Sequence, residues 1–293
     1  MRLPGENELR EHIRASLASE LQVASELLNL GIGIFSPSTQ ARPPEPMEHF
    51  ELFLSLGIIA KACRQYRGIV ALAEISLGDV AESNGRMLLE TMLAANFLMQ
   101  ANVALKRNGT SMPDVPGYPL TTAFRTKLYI AHDAMGTFKT LCAMAKNGDI
   151  EKGEADRAIA LAEKQVKETQ DEIGLEWLSR QKGSDSYAGV RIRDLADSLG
   201  KTFIYHTFYK PACPGVHGAD ARKFADVVEN ADGSLTFSTV SSPKGVAEAL
   251  VLSSMALIDV LDVANKRLGL DIEGRIHALA QRGRLMKHRL PDE

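Results

Sequence analysis

The sequence predicts an all-α fold, a multi-helix bundle with long helices and one short β-hairpin near residues 232–240. Three observations carry this. Apolar residues recur at intervals of three and four through most of the chain, the spacing that gathers them on one face of a helix. Strand signals are confined to Asp232-Gly233 ahead of Leu-Thr-Phe-Ser-Thr-Val, a turn dipeptide followed by β-branched and aromatic residues. Nothing suggests a parallel sheet, an internal repeat or a low-complexity tract.

The elements follow in order. From about Glu6 to Leu30, residues Leu9, Ile13, Leu17, Leu21, Ala24 and Leu28 mark an amphipathic helix that ends at Gly31 and Gly33. Pro37, Pro43, Pro44 and Pro46 forbid a helix from Ser36 to Pro46, which is therefore a linker. Two long helices, 48–76 and 79–106, separate at Leu77-Gly78, with Asp79 as the N-cap of the second. A Gly/Pro-rich loop (108–119) leads into a helix over 121–146, broken at Asn147-Gly148. Residues 150–182, rich in Glu, Lys and Ala, form a long exposed helix. Short helices at 192–199 and 201–210 precede the irregular run Pro211 to His217, and helices near 244–268 and 271–287 close the chain. The expected organisation is an N-terminal helix and Pro-rich linker (1–46), a helical core domain (47–242), and C-terminal helices with a basic tail packed on that core (243–293).

Composition narrows the function classes. A chain of 293 residues is long enough to bury a substantial core without staples. A net charge of −3 gives no whole-molecule field that would draw in nucleic acid or an anionic membrane. Cys63, Cys142 and Cys213 are odd in number and show no CxxC spacing, which argues against a disulfide framework or a zinc site and for a reducing compartment. The charged N-terminus has no signal-peptide core, and the longest apolar stretch, Ala249 to Ile258, is about half of the ~20 residues that span a bilayer. A cytoplasmic protein with no membrane partner is expected. The histidines show no metal-ligand spacing, and neither a metal nor a cofactor is expected.

Two constellations stand out. At about 100° per residue, Glu90 lies about 40° from Arg86 on a helix whose two faces are both largely apolar, so the pair is expected to be largely buried. A desolvated ion pair is weak evidence for stability and so points to an organised site; the alternative is an ordinary i,i+4 structural pair. In Tyr205-His206-Thr207-Phe208-Tyr209-Lys210, Tyr205 and Tyr209 present two hydroxyls on one helical face, and His217 follows a Pro-Gly break that lets it turn back toward them. The alternative for His217 is a hydrogen bond to a carbonyl in a packed turn.

The run GRMLLETMLAANFL, then Trp177, then VRIRDLADSLG and YHTFYKPACPGVHG resembles the bacterial family of unknown function numbered 5677. That family shows an RxxxE helix near its start and a Tyr, Ser and Val-His-Gly signature near its end. The resemblance covers about Leu56 to Ala219; it implies a helical domain and leaves the activity open. Arg86, Glu90, Tyr209, His217 and Gly218 match the pattern, whereas Lys210 stands where the family often has Arg and Cys213 where it often has Ser.

The family's Arg, six residues and His is similar to the R-x4-6-H motif of HEPN-type ribonucleases, helical dimers that cleave RNA without metal. Lys210-x6-His217 keeps a cation and an imidazole but loses the bidentate grip of arginine on phosphate. Arg125-x6-His132 fits the same loose expression. Cys213 and His217 also satisfy the minimum of a thiolate–imidazolium pair, with no third orienting group in evidence. The stretch Lys266 to Arg289 is locally basic, either a phosphate-contacting tail or the solvated face of a last helix.

The leading expectation is an interaction or sensing module whose Arg86, Glu90, Tyr205, Tyr209 and His217 bind a small ligand or protein partner. The alternative is a HEPN-type ribonuclease in a toxin or phage-defence setting, a homodimer with His217, Lys210 and Tyr209 as its catalytic residues and RNA held in part by the basic tail.

Overall fold

A computed structural model describes residues 6–37, 39–182, 184, 186–210, 226–229, 234–238 and 245–287. Over these residues the apolar periodicity produces an all-α protein of ten helices with two short antiparallel strand pairs. The chain divides into two units: unit 1 takes 1–46, 55–96 and 203–293, and unit 2 takes 47–54 and 97–202.

Unit 1 opens with α1 (Glu6–Ser16) and α2 (Ala18–Gly33), where the periodicity had suggested one helix. The break sits at Leu17, with φ −113° and ψ 28°. Beside it the Ser16 hydroxyl donates back to the His12 carbonyl at 2.8 Å. The buried residues Leu27 and Leu30 anchor α2, which packs against α9 (Val246–Leu268) and α10 (Glu273–Lys287). Gly31 is required there because a Cβ would come within 2.6 Å of Cys63 Sγ.

Two long helices continue the chain: α3 (His49–Glu74), and α4 (Gly78–Met99), which contributes Leu88 and Leu89 to the core. Tyr66 and Ser254 share a buried hydroxyl–hydroxyl bond of 2.7 Å. Ser76, at φ 62°, reverses the chain between α3 and α4. Helix α4 starts one residue earlier than expected, so Asp79 lies in its first turn, where its carboxylate accepts from the Val80 N–H at 2.8 Å. The described part of the Pro-rich linker is not helical, and it is pinned to the end of α9. The Arg267 guanidinium, 6% exposed, holds Glu45 at 3.0 Å, and a Cβ on Gly269 would collide with the Arg42 carbonyl.

In unit 2 the expected loop after α4 contains β1 (Lys106–Arg107) and β2 (Thr110–Ser111), joined by Asn108 and Gly109 at φ 51° and 79°. An Asn-Gly pair with both residues left-handed is the turn that matches strand twist. Helix α4 therefore stops at Met99, short of the expected Lys106. The fully buried Arg125 donates to the carbonyls of Gln100 and Leu120 and satisfies the chain where the helix ends.

Helix α5 (Thr122–Asn147) is capped by the Thr121 hydroxyl, which accepts from the Phe124 N–H at 3.2 Å, and it ends at Gly148 with φ 77°. It packs along α6 (Lys152–Lys182), which kinks at Gly174, where φ is 76° and a Cβ would meet the Tyr118 hydroxyl at 2.6 Å. Helix α7 (Ile192–Ser198) lies against β1.

Helix α8 (Thr202–Ile204) runs directly into a π-turn, Tyr205–Tyr209, where an ordinary helix over 201–210 was expected. The expected hairpin is present as β3 (Asp226–Glu229) paired with β4 (Leu235–Ser238). No described helix is long and apolar enough to cross a membrane.

Candidate functional site

Helix α4 and the π-turn meet within unit 1 through one aromatic ring. Phe208, 1% exposed, packs directly on Gly85, where any Cβ would intrude on the ring. This seating brings the following residue, Tyr209, over the Arg86–Glu90 pair one turn along α4. The tyrosine hydroxyl donates to Glu90 Oε1 at 2.9 Å, and Arg86 Nε lies 3.3 Å from the same oxygen. The Arg86 guanidinium carbon is 5.1 Å from the centroid of the Tyr209 ring, a cation–π distance.

The π-turn sets the aromatic geometry. Its i→i+5 bond, from the Lys210 N–H to the Tyr205 carbonyl, widens the backbone and stacks the Tyr205 and Tyr209 rings at 5.2 Å and 20°. His206 meets the Tyr205 ring edge-on at 5.3 Å and 89°. Arg86, Glu90, Tyr205 and Tyr209 therefore form one cluster, with His206 at its margin.

The pair is partly rather than largely buried, Arg86 more so than Glu90. Arg86 is 17% exposed at its side chain and Glu90 is 44% exposed. Glu90 is rotated about 40° from Arg86 toward Met87, which is itself half-exposed, so the carboxylate reaches the rim while the guanidinium stays beneath it.

Burial, and then the Glu90 carboxylate, push the Tyr209 hydroxyl well above the usual phenol range, with Arg86 opposing the shift. The phenol is thus a proton-bearing hydrogen-bond donor at physiological pH, not a base. Lys210 is exposed immediately beyond it. His217, Cys213 and Gly218 lie outside the described residues.

The other motifs have different surroundings. Arg125 is committed to backbone carbonyls and lies 5.9 Å from the Phe97 ring, and His132 stands edge-on to Tyr187 at 6.3 Å. In the basic C-terminal segment, Lys266, Arg267 and Arg282 each hold a carboxylate, from Asp262, Glu45 and Glu26 respectively. No group of His, Cys, Asp and Glu that could hold a metal ion occurs among the described residues.

The sequence did not reveal the seating of Phe208 on Gly85 or the marginal position of His206. Its one usable signal was a glycine inside an otherwise strong helical pattern, which marks a close approach.

A family model described as a family of unknown function (DUF5677) matches residues 52–234, a span that includes the whole cluster. No curated protein and no solved structure matches the chain.

Proposed function

The chain belongs to this family of unknown function, and we propose that it is an interaction or sensing module that binds a small ligand or protein partner through the Arg86–Glu90–Tyr209 cluster. One observation carries the reading. Tyr209 and Arg86 both converge on Oε1 of Glu90, which leaves Oε2 of a half-exposed carboxylate without a partner among the described residues. A carboxylate fixed on one side and open on the other is a preorganised acceptor for a ligand's N–H or O–H donor.

The stacked tyrosines give that acceptor a rigid aromatic flank, and His206 supplies a second polar group at the same rim. A protonated phenol and an arginine occupied by its own carboxylate favour binding over proton transfer. Beside this reading stands the metal-independent ribonuclease, which the exposed Lys210 favours. That chemistry would use Lys210 to stabilise phosphate charge and His217 to move the proton.

The two readings separate in one set of assays on the full chain. A panel of metabolites is screened for thermal stabilisation of wild type, Glu90→Gln and Tyr209→Phe. A compound that stabilises wild type and loses its effect in Glu90→Gln supports the module. Cleavage of single-stranded RNA in EDTA, abolished by Lys210→Ala or His217→Ala and indifferent to Glu90→Gln, would replace it with the ribonuclease.

A further inference from the structure

Arg107, Arg180 and Arg191 come from three separate stretches of unit 2 and line one cavity of about 360 Å³. Each is brought there by its own backbone device. Arg107 ends β1 just before the Asn108-Gly109 turn, and that turn is tied to α7 by the Asn108 N–H, which donates to the Asp194 carboxylate at 3.1 Å. A second tie, from the Lys106 N–H to the Ser198 hydroxyl at 2.8 Å, fixes the strand beside it. The Arg107 guanidinium reaches the Gly189 carbonyl at 3.4 Å.

Arg180 projects from the last turn of α6 and is held on three sides. Glu176 lies at 2.7 Å, the Pro113 carbonyl at 3.4 Å, and the Trp177 ring centroid at 4.8 Å, leaving the side chain 13% exposed. Gly189, at φ 69°, lets the backbone press on it so closely that a Cβ would stand 2.9 Å from Arg180 Cβ. Arg191 is exposed at the entry to α7.

Among the described residues the cavity lining holds three arginines against one carboxylate, that of Asp194. Glu176 answers Arg180, and the carboxylate of Asp194, 4% exposed, is engaged by the Asn108 N–H. No carboxylate among the described residues forms an ion pair with Arg107 or Arg191. Arg107 and Arg191 thus line the cavity without an ion-pair partner among the described residues, and planar guanidinium forks match the oxygens of a phosphate group.

We infer that this cavity is a binding site for a compact phosphate-class anion, a pyrophosphate or small phosphate monoester, gripped by Arg107, Arg180 and Arg191. The volume lies at the lower end of the ~300–1,000 Å³ of small-molecule pockets, which suits a small polyanion. No aromatic side chain among the described residues lines the cavity, and Arg180 lies over the Trp177 ring, so a strand of RNA finds no stacking platform in that lining. The site lies within unit 2 and does not depend on the reading of the Arg86–Glu90–Tyr209 cluster.

Isothermal titration of the full chain with pyrophosphate tests this, with inorganic phosphate, sulfate and a short single-stranded RNA as comparisons. Saturable one-to-one binding of pyrophosphate is expected, weaker for phosphate and weakest for sulfate. Arg107→Gln and Arg191→Gln should each reduce affinity roughly tenfold or more, because each removes a charge-assisted hydrogen bond. Arg191→Lys should also weaken binding, since an ammonium cannot reproduce the bidentate fork.

The exposed Arg191 makes no side-chain bond to a described residue, so its variants report on binding without the fold being at stake. Lys106→Gln is the charge control: Lys106 pairs with Asp197 at 3.5 Å and does not line the cavity. Three results overturn the assignment: no heat of binding with millimolar pyrophosphate, an equal loss of affinity in Lys106→Gln, or RNA that binds without competition from pyrophosphate.

Discussion

Replacing Gly85 by alanine sets two calculable effects against each other. In a helix interior alanine is intrinsically favoured over glycine by about 1 kcal/mol. At this position, however, the new Cβ falls on the ring of Phe208, which is 1% exposed and has nowhere to move. Overpacking of that kind costs about 1–3 kcal/mol. Displacement of Phe208 also draws Tyr209 away from Glu90, and a hydrogen bond to a charged acceptor contributes about 1.5–3 kcal/mol. The lower end applies here because Glu90 is 44% exposed.

Setting a gain of ~1 against losses of ~2 and ~1.5 gives a net destabilisation of about 2–3 kcal/mol. Urea denaturation of Gly85→Ala, Phe208→Leu and the double variant measures it. The double variant should be more stable than Gly85→Ala alone, because the smaller side chain makes room for the methyl group while the helix keeps its propensity gain. A Gly85→Ala protein as stable as wild type, or more so, would refute the contact that seats the site.

Glu90→Ala should cost about 1–2 kcal/mol, below the ~3–5 kcal/mol of a fully buried pair, because the carboxylate is half-solvated. A double-mutant cycle with Tyr209→Phe in denaturant should return a coupling of about 1 kcal/mol, and zero coupling would contradict the bond. The Tyr209 pKa is raised, so the folded state holds that proton more tightly than the unfolded chain. Its contribution is complete below the unfolded value of about 10 and is lost as pH rises toward the folded one. Melting temperatures across the alkaline range should accordingly fall less steeply for Tyr209→Phe than for wild type. Burial pushes the Cys63 thiol up to about 11. Iodoacetamide at mildly alkaline pH should therefore leave Cys63 unlabelled in native protein and label it in denaturant, as read by peptide mass spectrometry.

The helices were legible because Gly and Pro punctuate a strong apolar periodicity, as at Leu77-Gly78 and Asn147-Gly148. The break at Leu17 was not, because the apolar pattern runs through it unchanged. The π-turn was hidden for a related reason: Tyr-His-Thr-Phe-Tyr has the composition of a helix segment, and only its i→i+5 bond distinguishes it. Spacing revealed the Arg86–Glu90 pair and the two tyrosines. It could not fix the exposure of Glu90, which lies on the side of the helix toward the half-exposed Met87. The convergence of Arg107, Arg180 and Arg191 had no sequence signal, since each belongs to a different turn of unit 2 and none shares a motif with the others.

The three-part make-up of unit 1 has a consequence for synthesis of the chain. Helix α2 packs on α9 and α10, and its Glu26 finds Arg282 only 256 residues later. At about 5–20 residues per second, α2 waits on the order of ten to fifty seconds for α9. Throughout that interval Leu27 and Leu30, both buried in the finished protein, face solvent or a chaperone. Every residue of unit 2 lies at or before position 202 and is synthesised during the wait. A translational pause before Val246 therefore lengthens the wait of α2 without delaying synthesis of the unit that carries the arginine cavity.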